Sequence, residues 1–416
     1  MIDSCSRTES RLLTLDAALL TIRQQIDSVK SCETVDLSQA FGRILARSPQ
    51  APMNLPQYRG AAMDGYALAS SAIDSHKAFS LEMAGTSWAG QPFTGSLSSE
   101  QCLRIFTGAL VPDTFDTVVM QEQVRNENGR IYFPAALRPY QNIKQPGEDI
   151  AQGALLIDAP KKLTAADMGL LASAGIDHIS VKRRVKIAYL STGDELVALG
   201  QPLAPGKIYD SNRYLLQGML RDDCFSVTDL GIIADDKTLL TNALTAAAEN
   251  HDVIISTGGA SVGEADFIKE ILHSHGQVSF WKLAIKPGKP LAFGTLGPAW
   301  FFGLPGNPVA VAVTFQQIVK PALAQLAGAP ATRSLQLQAV CLDNLKKSPG
   351  RLEFMRGLLT QTSAGEFQVK SAGKQGSHIL SALSRANCYI VLPAENAGVN
   401  NGDTVTVLPF GIDLGV

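Results

Sequence analysis

The run Val253-Ile254-Ile255-Ser256-Thr257-Gly258-Gly259-Ala260-Ser261-Val262-Gly263-Glu264-Ala265-Asp266 reads as a short apolar strand that breaks into a glycine-rich loop, with a helix beginning at Phe267. Strand, loop and helix recur on its N-terminal side: a strand over Val185 to Leu190 precedes a helix from Asn212, and a strand over Thr228 to Ile233 precedes a helix from Lys237. Alternation of this kind from Arg184 to about Gly328 predicts a parallel sheet covered by helices. A β-ribbon is expected from Phe280 to Phe302. After it comes a helix capped by Asn307, with Pro308 at its first position, running towards Leu326.

In an open α/β sheet, ligands bind outside the carboxyl ends of the strands, where loops meet helix N-termini. Four loops are therefore candidates: Ser191-Thr192-Gly193-Asp194-Glu195, Ala234-Asp235-Asp236, the loop from Ser256 to Asp266, and Gly303-Leu304-Pro305-Gly306-Asn307-Pro308. All four follow predicted strands and are expected on one rim. Gly258, Gly259 and Gly263 remove side chains where backbone N–H groups must approach an anion, and Thr257 and Ser261 add hydroxyl donors. The loop is neither a Walker A string nor a dinucleotide fingerprint, and a tight turn would use the same glycines. The prolines and glycines between Gly303 and Pro308 stiffen a loop at a helix start, which suits a phosphate.

Glu195, Asp235, Asp236, Glu264 and Asp266 lie on the same loops and offer the oxygen ligands that Mg²⁺ prefers when shared with phosphates. Solvated surface acids are the plainer alternative for each. Lys282, Lys286 and Lys289 bring compact cations beside glycine and proline, able to neutralise phosphate or another tetrahedral oxyanion. Lys282 and Lys286 are expected on one face of a strand.

Outside this unit the pattern changes. Leu12 to Lys30 carries apolar residues at helical spacing, and a proline cluster at Pro49, Pro52 and Pro56 marks a crossover. From about Met53 to Asp149, short β runs (Phe79 to Ala84, Cys102 to Phe106, Thr117 to Gln123, Arg130 to Phe133) predict a small β domain. Its own candidates are Ala62-Met63-Asp64-Gly65-Tyr66-Ala67, Thr107-Gly108-Ala109 and Gly147-Glu148-Asp149-Ile150. On spacing alone, Asp64 and Asp149 read as turn residues. A helix capped by Thr164, with Asp167 three residues on, ends at Gly175. Beyond Ala331 the chain is β-rich again, at Leu335 to Leu342, Phe367 to Val369, Tyr389 to Leu392 and Thr404 to Val407.

At 416 residues the chain exceeds what one core serves, so three or four domains are expected. Hydrophobic residues at 45% and charged residues at 18% exclude global disorder. A net charge of -2 gives no overall field for nucleic acid or an anionic membrane, so any anion site must be local. Met1 to Arg11 is polar, has no apolar segment behind it, and reads as a frayed tail rather than a secretory signal. The most apolar stretch, Pro308 to Phe315, is far shorter than the ~20 residues that cross a bilayer, so a soluble protein is expected. Six scattered cysteines without a C-x-x-C pair argue against zinc and for a reducing compartment. His273 and His275 point to different faces of a helix.

Taken together and in order, Ala62 to Ala67, Thr107-Gly108, Gly147 to Ile150, Ser191 to Leu196, Ser256 to Asp266, Lys286 to Pro290 and Gly303 to Pro308 closely resemble the molybdopterin molybdenumtransferase (MoeA) family, which includes the C-terminal part of gephyrin. The resemblance covers nearly the whole chain. It implies a multidomain α/β plus β fold: a segmented N-terminal linker domain (8–52 and 150–183), an inserted small β domain (53–149), a central α/β molybdopterin-binding domain with a parallel-type sheet (184–330) and a C-terminal β-barrel-like domain (331–416). It also implies a cytoplasmic homodimer with its active site between subunits, contact with molybdopterin adenylyltransferase, and Mg²⁺-dependent insertion of molybdate into adenylated molybdopterin with release of AMP.

By position the resemblance assigns ligand binding and chemistry to Asp64, Thr107, Asp149, Glu195, Asp235, Asp266, Lys282, Lys286, Pro305 and Pro308. On that basis Glu195, Asp235 and Asp266, helped by Asp64 and Asp149, would hold Mg²⁺ against a pyrophosphate. Lys282 and Lys286 would neutralise oxyanions. Lys144, Thr192, Gly193, Asp194, Ser256, Thr257, Gly258, Gly259, Ser261, Gly263, Lys289, Gly306 and Asn307 complete the expected ligand contacts. Two departures stand out: Lys144-Gln145-Pro146 where many relatives carry arginine, and Ala260 where valine is common. Competing readings are an adenylyltransferase, which leaves the flanking β domains unexplained, a gephyrin-type scaffold and a nucleotide pyrophosphatase.

Overall fold

A computed structural model describes residues 12–74, 76–258 and 267–415, with backbone alone at 281 and 413–415. The expected N-terminal tail and the loop residues Gly259 to Asp266 lie outside the described residues. Helix α1 (Leu15–Gln25) is capped by the Thr14 side chain and stops at Ile26, whose backbone turns extended. It is therefore shorter than the Leu12 to Lys30 periodicity suggests. Its Ala18 and Ile22, together with Ile26, are buried in the same core as the α/β unit. A small sheet then joins Cys32–Asp36 and Ile44–Leu45 to Lys161–Lys162 and His178–Lys182, tying together segments far apart in sequence.

Between those halves sits the inserted sheet. Its strands are β1 (Gly65–Leu68), β2 (Phe79–Ser87), β3 (Gln101–Ile105), β4 (Thr117–Met120), β5 (Arg125–Glu127) and β6 (Arg130–Phe133), in the order β4-β1-β3-β2-β6-β5. Alternation along the strands separates two cores. Ala67, Leu103 and Ile105 face one side; Tyr66, Leu68 and Cys102 face the other. Helix α2 (Ala165–Ser173) closes the insertion with the predicted capping box between Thr164 and Asp167.

The α/β unit follows as β7 (Val185–Thr192), α3 (Ser211–Met219), β8 (Phe225–Ile233), α4 (Lys237–Asn250), β9 (Val253–Thr257), α5 (Phe267–His275), β10 (Gly276–Lys282), β11 (Ile285–Lys286), β12 (Pro290–Leu296), β13 (Ala299–Leu304), α6 (Pro308–Thr314) and α7 (Lys320–Ala327). Its sheet runs β8-β7-β9-β13-β12-β10. The first four strands are mutually parallel, whereas β12 and β10 are antiparallel neighbours. The expected ribbon is thus no separate hairpin: its last strand enters the parallel sheet beside β9. The residues of β9 are all buried, as a strand covered by helices on both faces requires.

Asn307 stands at the start of α6 with Pro308 at the first position, but its side chain makes no cap hydrogen bond, contrary to expectation. A π-helical turn over Phe315–Val319 carries the chain from α6 into α7. The continuous stretch Pro308–Ala327 is 20 residues long and apolar enough to cross a membrane by length and composition, longer than the Pro308 to Phe315 segment singled out in the sequence. In the fold it packs Val311, Val313, Ile318, Ala322 and Leu326 into the main core.

The C-terminal strands are β14 (Leu337–Cys341), β15 (Leu352–Gln361), β16 (Phe367–Ser371), β17 (Cys388–Leu392) and β18 (Thr404–Pro409). They pair in the order β15-β16-β14-β18-β17, and β17 pairs back to β15, closing a barrel. The long strand β15 was not foreseen from the sequence, yet it makes the closure. At Gly357 it passes from one neighbour to the other, where a Cβ would meet Cys388 Sγ at 2.8 Å and Ile390 Cγ1 at 2.9 Å. Strand β11 of the α/β unit adds in parallel to the start of β15, placing Lys286 opposite Glu353.

Candidate active site

The rim forms where the four parallel strands end. After β7, Thr192 is buried and its hydroxyl donates to Asp235, which follows β8. The Asp235 N–H in turn reaches Asp194 Oδ1 at 3.4 Å. Ser191 Oγ and Thr257 Oγ1, at the ends of β7 and β9, lie 3.0 Å apart. Two glycines make this approach possible. A Cβ on Gly258 would sit 2.1 Å from the Thr192 carbonyl oxygen, and Gly258 adopts φ +83°. A Cβ on Gly193 would sit 2.6 Å from Glu195 Oε2, so the Glu195 carboxylate folds back over the bare backbone. The fourth loop joins the rim through Asn212, whose Nδ2 donates to the Gly306 carbonyl at 2.7 Å.

Buried polar atoms mark the same rim. Ser256 Oγ, Asp210 Oδ2 and Asn212 Oδ1 have no hydrogen-bond partner among the described residues, although Ser256 is fully buried and Asp210 is 2% exposed. Orphaned buried acceptors and donors at strand ends are what a polar ligand would satisfy. Neither Asp210 nor Asn212, the expected helix start, was among the expected site residues. Asp210 caps α3 by accepting from the Arg213 N–H at 3.1 Å, and an Asp before a helix is the signal that could have found it.

Beside the rim, a cleft of about 1060 Å³ opens between the α/β unit and the barrel. Pro305 and Asn307 border it, as do Lys286, Lys289, Lys346 and Arg351. Lys286 pairs with Glu353 at 2.9 Å; its own side chain is 49% exposed and that of Glu353 only 6%. Lys289, Lys346 and Arg351 have no ion pair among the described residues. Lys282 is not part of this lining. It ends β10, and Lys286 belongs to β11, so the two do not share one strand face as expected. The far wall is the loop from Gly373 to Ser377. Arg356, 1% exposed, holds it from behind by donating to the Gly376 carbonyl at 3.0 Å, and Gln375 Oε1 accepts from the Arg356 N–H at 2.8 Å. Burial pushes the Arg356 guanidinium below its usual range, against the opposing pull of Tyr389 and Glu353. Arg351, Glu353 and Arg356 all escaped the sequence reading because β15 did.

The remaining candidates stay in the inserted domain. Asp64 Oδ1 accepts from the Thr107 N–H at 2.8 Å and from its hydroxyl at 2.7 Å. Those two bonds, with Arg104 nearby, hold its carboxyl below the usual range. The Asp149 side chain is exposed, and its N–H donates to Leu55 O at 3.0 Å. Lys144 is exposed on a two-residue strand opposite Gly60. No hydrogen bond or ion pair among the described residues joins Asp64, Thr107, Lys144 or Asp149 to the rim or the cleft.

As for Mg²⁺, Asp235, Asp194 and Glu195 are exposed carboxylates on neighbouring loops. Among the described residues, however, no three acidic, histidine or cysteine side chains converge as a complete metal cage. Such a partial set fits an ion that takes its other oxygens from a bound phosphate. Asp266, the third expected ligand, lies outside the described residues.

A mixed sheet whose parallel strands end on one rim, joined by a strand to a barrel that completes a cleft rich in lysine and arginine, defines a multidomain α/β plus β protein. Family models match the chain in three consecutive pieces: the MoeA N-terminal region (domain I and II) over residues 13–175, a probable molybdopterin binding domain over 188–325, and the MoeA C-terminal region (domain IV) over 338–410. The chain is 44% identical over 406 residues to a molybdopterin molybdenumtransferase of Haemophilus influenzae, covering 97% of this chain and 100% of that one. It is 35% identical over 396 residues to a molybdopterin molybdenumtransferase of Nostoc sp., covering 93% and 91%. The crystal structure of a molybdopterin biosynthesis MoeA protein from Pyrococcus horikoshii OT3 matches with a TM-score of 0.81 at 27% identity, covering 96% of this chain and 100% of that one. The chain belongs to the MoeA family of molybdopterin molybdenumtransferases.

Proposed function

We propose that this enzyme inserts molybdenum from molybdate into adenylated molybdopterin and releases AMP. Membership of the family supports the reaction, and one observation carries its assignment to this cleft: Lys289, Lys346 and Arg351 stand without ion pairs among the described residues, around a cavity that borders the strand-end rim. Unpaired cations in a cleft are suited to a tetrahedral oxyanion. Their position next to Pro305 and Asn307 supports placing such an anion beside a ligand on the rim.

The rim and the cleft suggest a division of labour. The loops after β7 and β13, with the hydroxyls of Thr192, Ser256 and Thr257, would hold the phosphate of the substrate; Gly259, Ser261 and Gly263, expected from the sequence to join them, lie outside the described residues. Glu195, Asp235 and Asp266 would hold Mg²⁺, which supplies charge neutralisation at the pyrophosphate. Lys286, paired with Glu353, would act with Lys289 and Lys282 to offset negative charge as water cleaves the phosphoanhydride bond and AMP departs. The dithiolene thiols of the substrate would then bind molybdenum held by the cleft cations, one molybdate oxygen leaving as water with the two thiol protons.

Asp64, Thr107, Lys144 and Asp149 would serve the site of a second copy in a homodimer, since among the described residues of one chain they bond neither to the rim nor to the cleft. Division at residues 8–52 with 150–183, 53–149, 184–330 and 331–416 is supported by the sheets, each of which lies within one of these units apart from the β11–β15 pairing. Adenylated molybdopterin would come from an adenylyltransferase in the same cytoplasmic compartment.

The test supplies purified protein with adenylated molybdopterin, Mg²⁺ and molybdate and follows AMP. Molybdate-stimulated AMP release is expected, falling by roughly 10²-fold or more in Lys286→Ala and Asp266→Ala, as for loss of a charge-stabilising group. Turnover that ignores molybdate would mark a pyrophosphatase instead.

A further inference from the structure

The exposed indole of Trp88 is the free end of a column of planar groups on one face of the inserted sheet. Tyr66 of β1 lies opposite Arg104 of β3 in register, and the Arg104 guanidinium stands 5.0 Å from the Tyr66 ring centroid and 4.7 Å from that of Phe106. Phe106 stacks on Trp88 with centroids 4.1 Å apart and an interplanar angle of 8°. The parallel pairing of β2 with β3 sets this up: Ser87 faces Ile105, so the next residues along, Trp88 and Phe106, are neighbours.

Each member is held in place. Arg104 donates to the Gly65 carbonyl at 3.1 Å and to the Gln121 side chain. Trp88 exchanges two backbone hydrogen bonds with Gln91, at 3.1 and 3.0 Å, across a tight turn. Tyr66 at the inner end is 7% exposed, while Trp88 is 51% exposed. Five other exposed aromatic residues, Phe41, Tyr58, Tyr140, Tyr209 and Tyr214, belong to no ring stack among the described residues.

We propose that Trp88, backed by Phe106 and Arg104, is a stacking platform for a fused nitrogen heterocycle of the substrate, adenine or pterin. The inference rests on the reaction proposed above, whose substrate carries both ring systems. A rigid indole with a free face needs little further ordering to accept a flat ring. Arg104 has no ion pair among the described residues, although the Asp64 carboxylate lies near enough to feel its charge; its guanidinium gives the column a cation on which a phosphorylated ligand can draw. The platform is also adjacent to a site candidate: Thr107, the residue after Phe106, is the one that binds Asp64. A protein partner would be expected to use a broader apolar patch than one indole.

The test compares wild type with Trp88→Ala, Trp88→Leu and Trp88→Phe, all at an exposed position. KM for adenylated molybdopterin should rise roughly tenfold or more in the Ala and Leu variants, as for loss of one base stack. In the Phe variant it should stay within about twofold, and kcat should hold throughout, because the ring binds ground and transition states alike. In separate arms, AMP and pterin-6-carboxylate are titrated against tryptophan fluorescence. Quenching by AMP that Trp88→Phe abolishes assigns adenine; the same behaviour with the pterin alone assigns the pterin. Unchanged KM in Trp88→Ala and Trp88→Leu with no Trp88-dependent quenching overturns the platform, as does loss of dimerisation with KM intact. If wild type releases no AMP yet AMP still quenches Trp88, the platform stands and the proposed reaction fails.

Discussion

Replacing Glu353 with Gln separates two jobs that the Lys286–Glu353 pair performs. Glu353 is buried and Lys286 half exposed, with 2.9 Å between them. Removing one member of a fully buried pair costs about 3–5 kcal/mol, whereas an exposed pair is worth about 0–1 kcal/mol. A pair with one end in water falls between, so Glu353→Gln should lose about 1–2 kcal/mol, read as a lower urea midpoint at unchanged slope. The cleft lining carries four cations, Lys286, Lys289, Lys346 and Arg351, against two carboxylates, Asp343 and Glu353. The variant removes half of the opposing charge and frees Lys286 from its partner. If that is worth ~1 kcal/mol to a bound oxyanion, the KM for molybdate falls by about fivefold. The maximal rate should fall as well, because Lys286 loses the carboxylate that orients it. Steady-state AMP release against molybdate concentration gives both constants, with Lys286→Met as the control expected to raise KM. A higher KM for molybdate in Glu353→Gln, or an unchanged KM with unchanged stability, would refute the electrostatic reading of the cleft.

Gly258→Ala should cost more than about 2 kcal/mol and impair binding of the adenylate, because a Cβ there meets the Thr192 carbonyl at 2.1 Å on a left-handed backbone; denaturant titration and KM together check it. Asp167 closes the capping box of α2 and bonds Lys161 at 2.6 Å. Burial works to raise its pKa, but the bonds from Lys161 and Thr164 outweigh this and hold it below 3.8. Its stabilisation is therefore complete above about pH 3.8 and is lost as pH falls through the lower folded value; Asp167→Ala should cost about 1–2 kcal/mol at pH 7 and flatten that acid limb of a stability–pH curve. Thr192→Val keeps the volume but removes the hydroxyl that holds Asp235. It should raise the Mg²⁺ requirement of AMP release several-fold while leaving the molybdate KM alone, and equal shifts in both would contradict the separation of rim and cleft.

The α/β unit was legible because its signals are local. Apolar runs followed by a polar or glycine-bearing loop and a helix start place β7, β8 and β9, and the parallel rule then puts their loops on one rim. The C-terminal half of the site was illegible for the opposite reason. Strand β15 carries Glu353 near its start and Arg356 within it, and charged residues inside an apolar run argue against a buried strand unless their partners are known. Those partners are Lys286, on a strand of another unit, and the carbonyls of Lys374 and Gly376. Gly357 deepened the ambiguity, since only the closed barrel shows that three side chains crowd its missing Cβ. The Asn307 cap and the shared face of Lys282 and Lys286 were local inferences that the tertiary context overrode. Asn307 borders the cleft, and the chain breaks strand at Leu283 to join the barrel.

The β11–β15 pairing also explains what the barrel is for. An α/β unit alone would own the rim and Lys286, Lys289, Pro305 and Asn307, but Lys346, Arg351, Glu353 and the loop from Gly373 to Ser377 come from the barrel. Half of the cationic cleft thus exists only where the two units meet. On the proposed reaction, a ligand phosphate on the rim would need the first unit alone, and molybdate beside it would need both. The C-terminal strands would then have a chemical role, which neither a scaffold nor a protein using the rim alone would require.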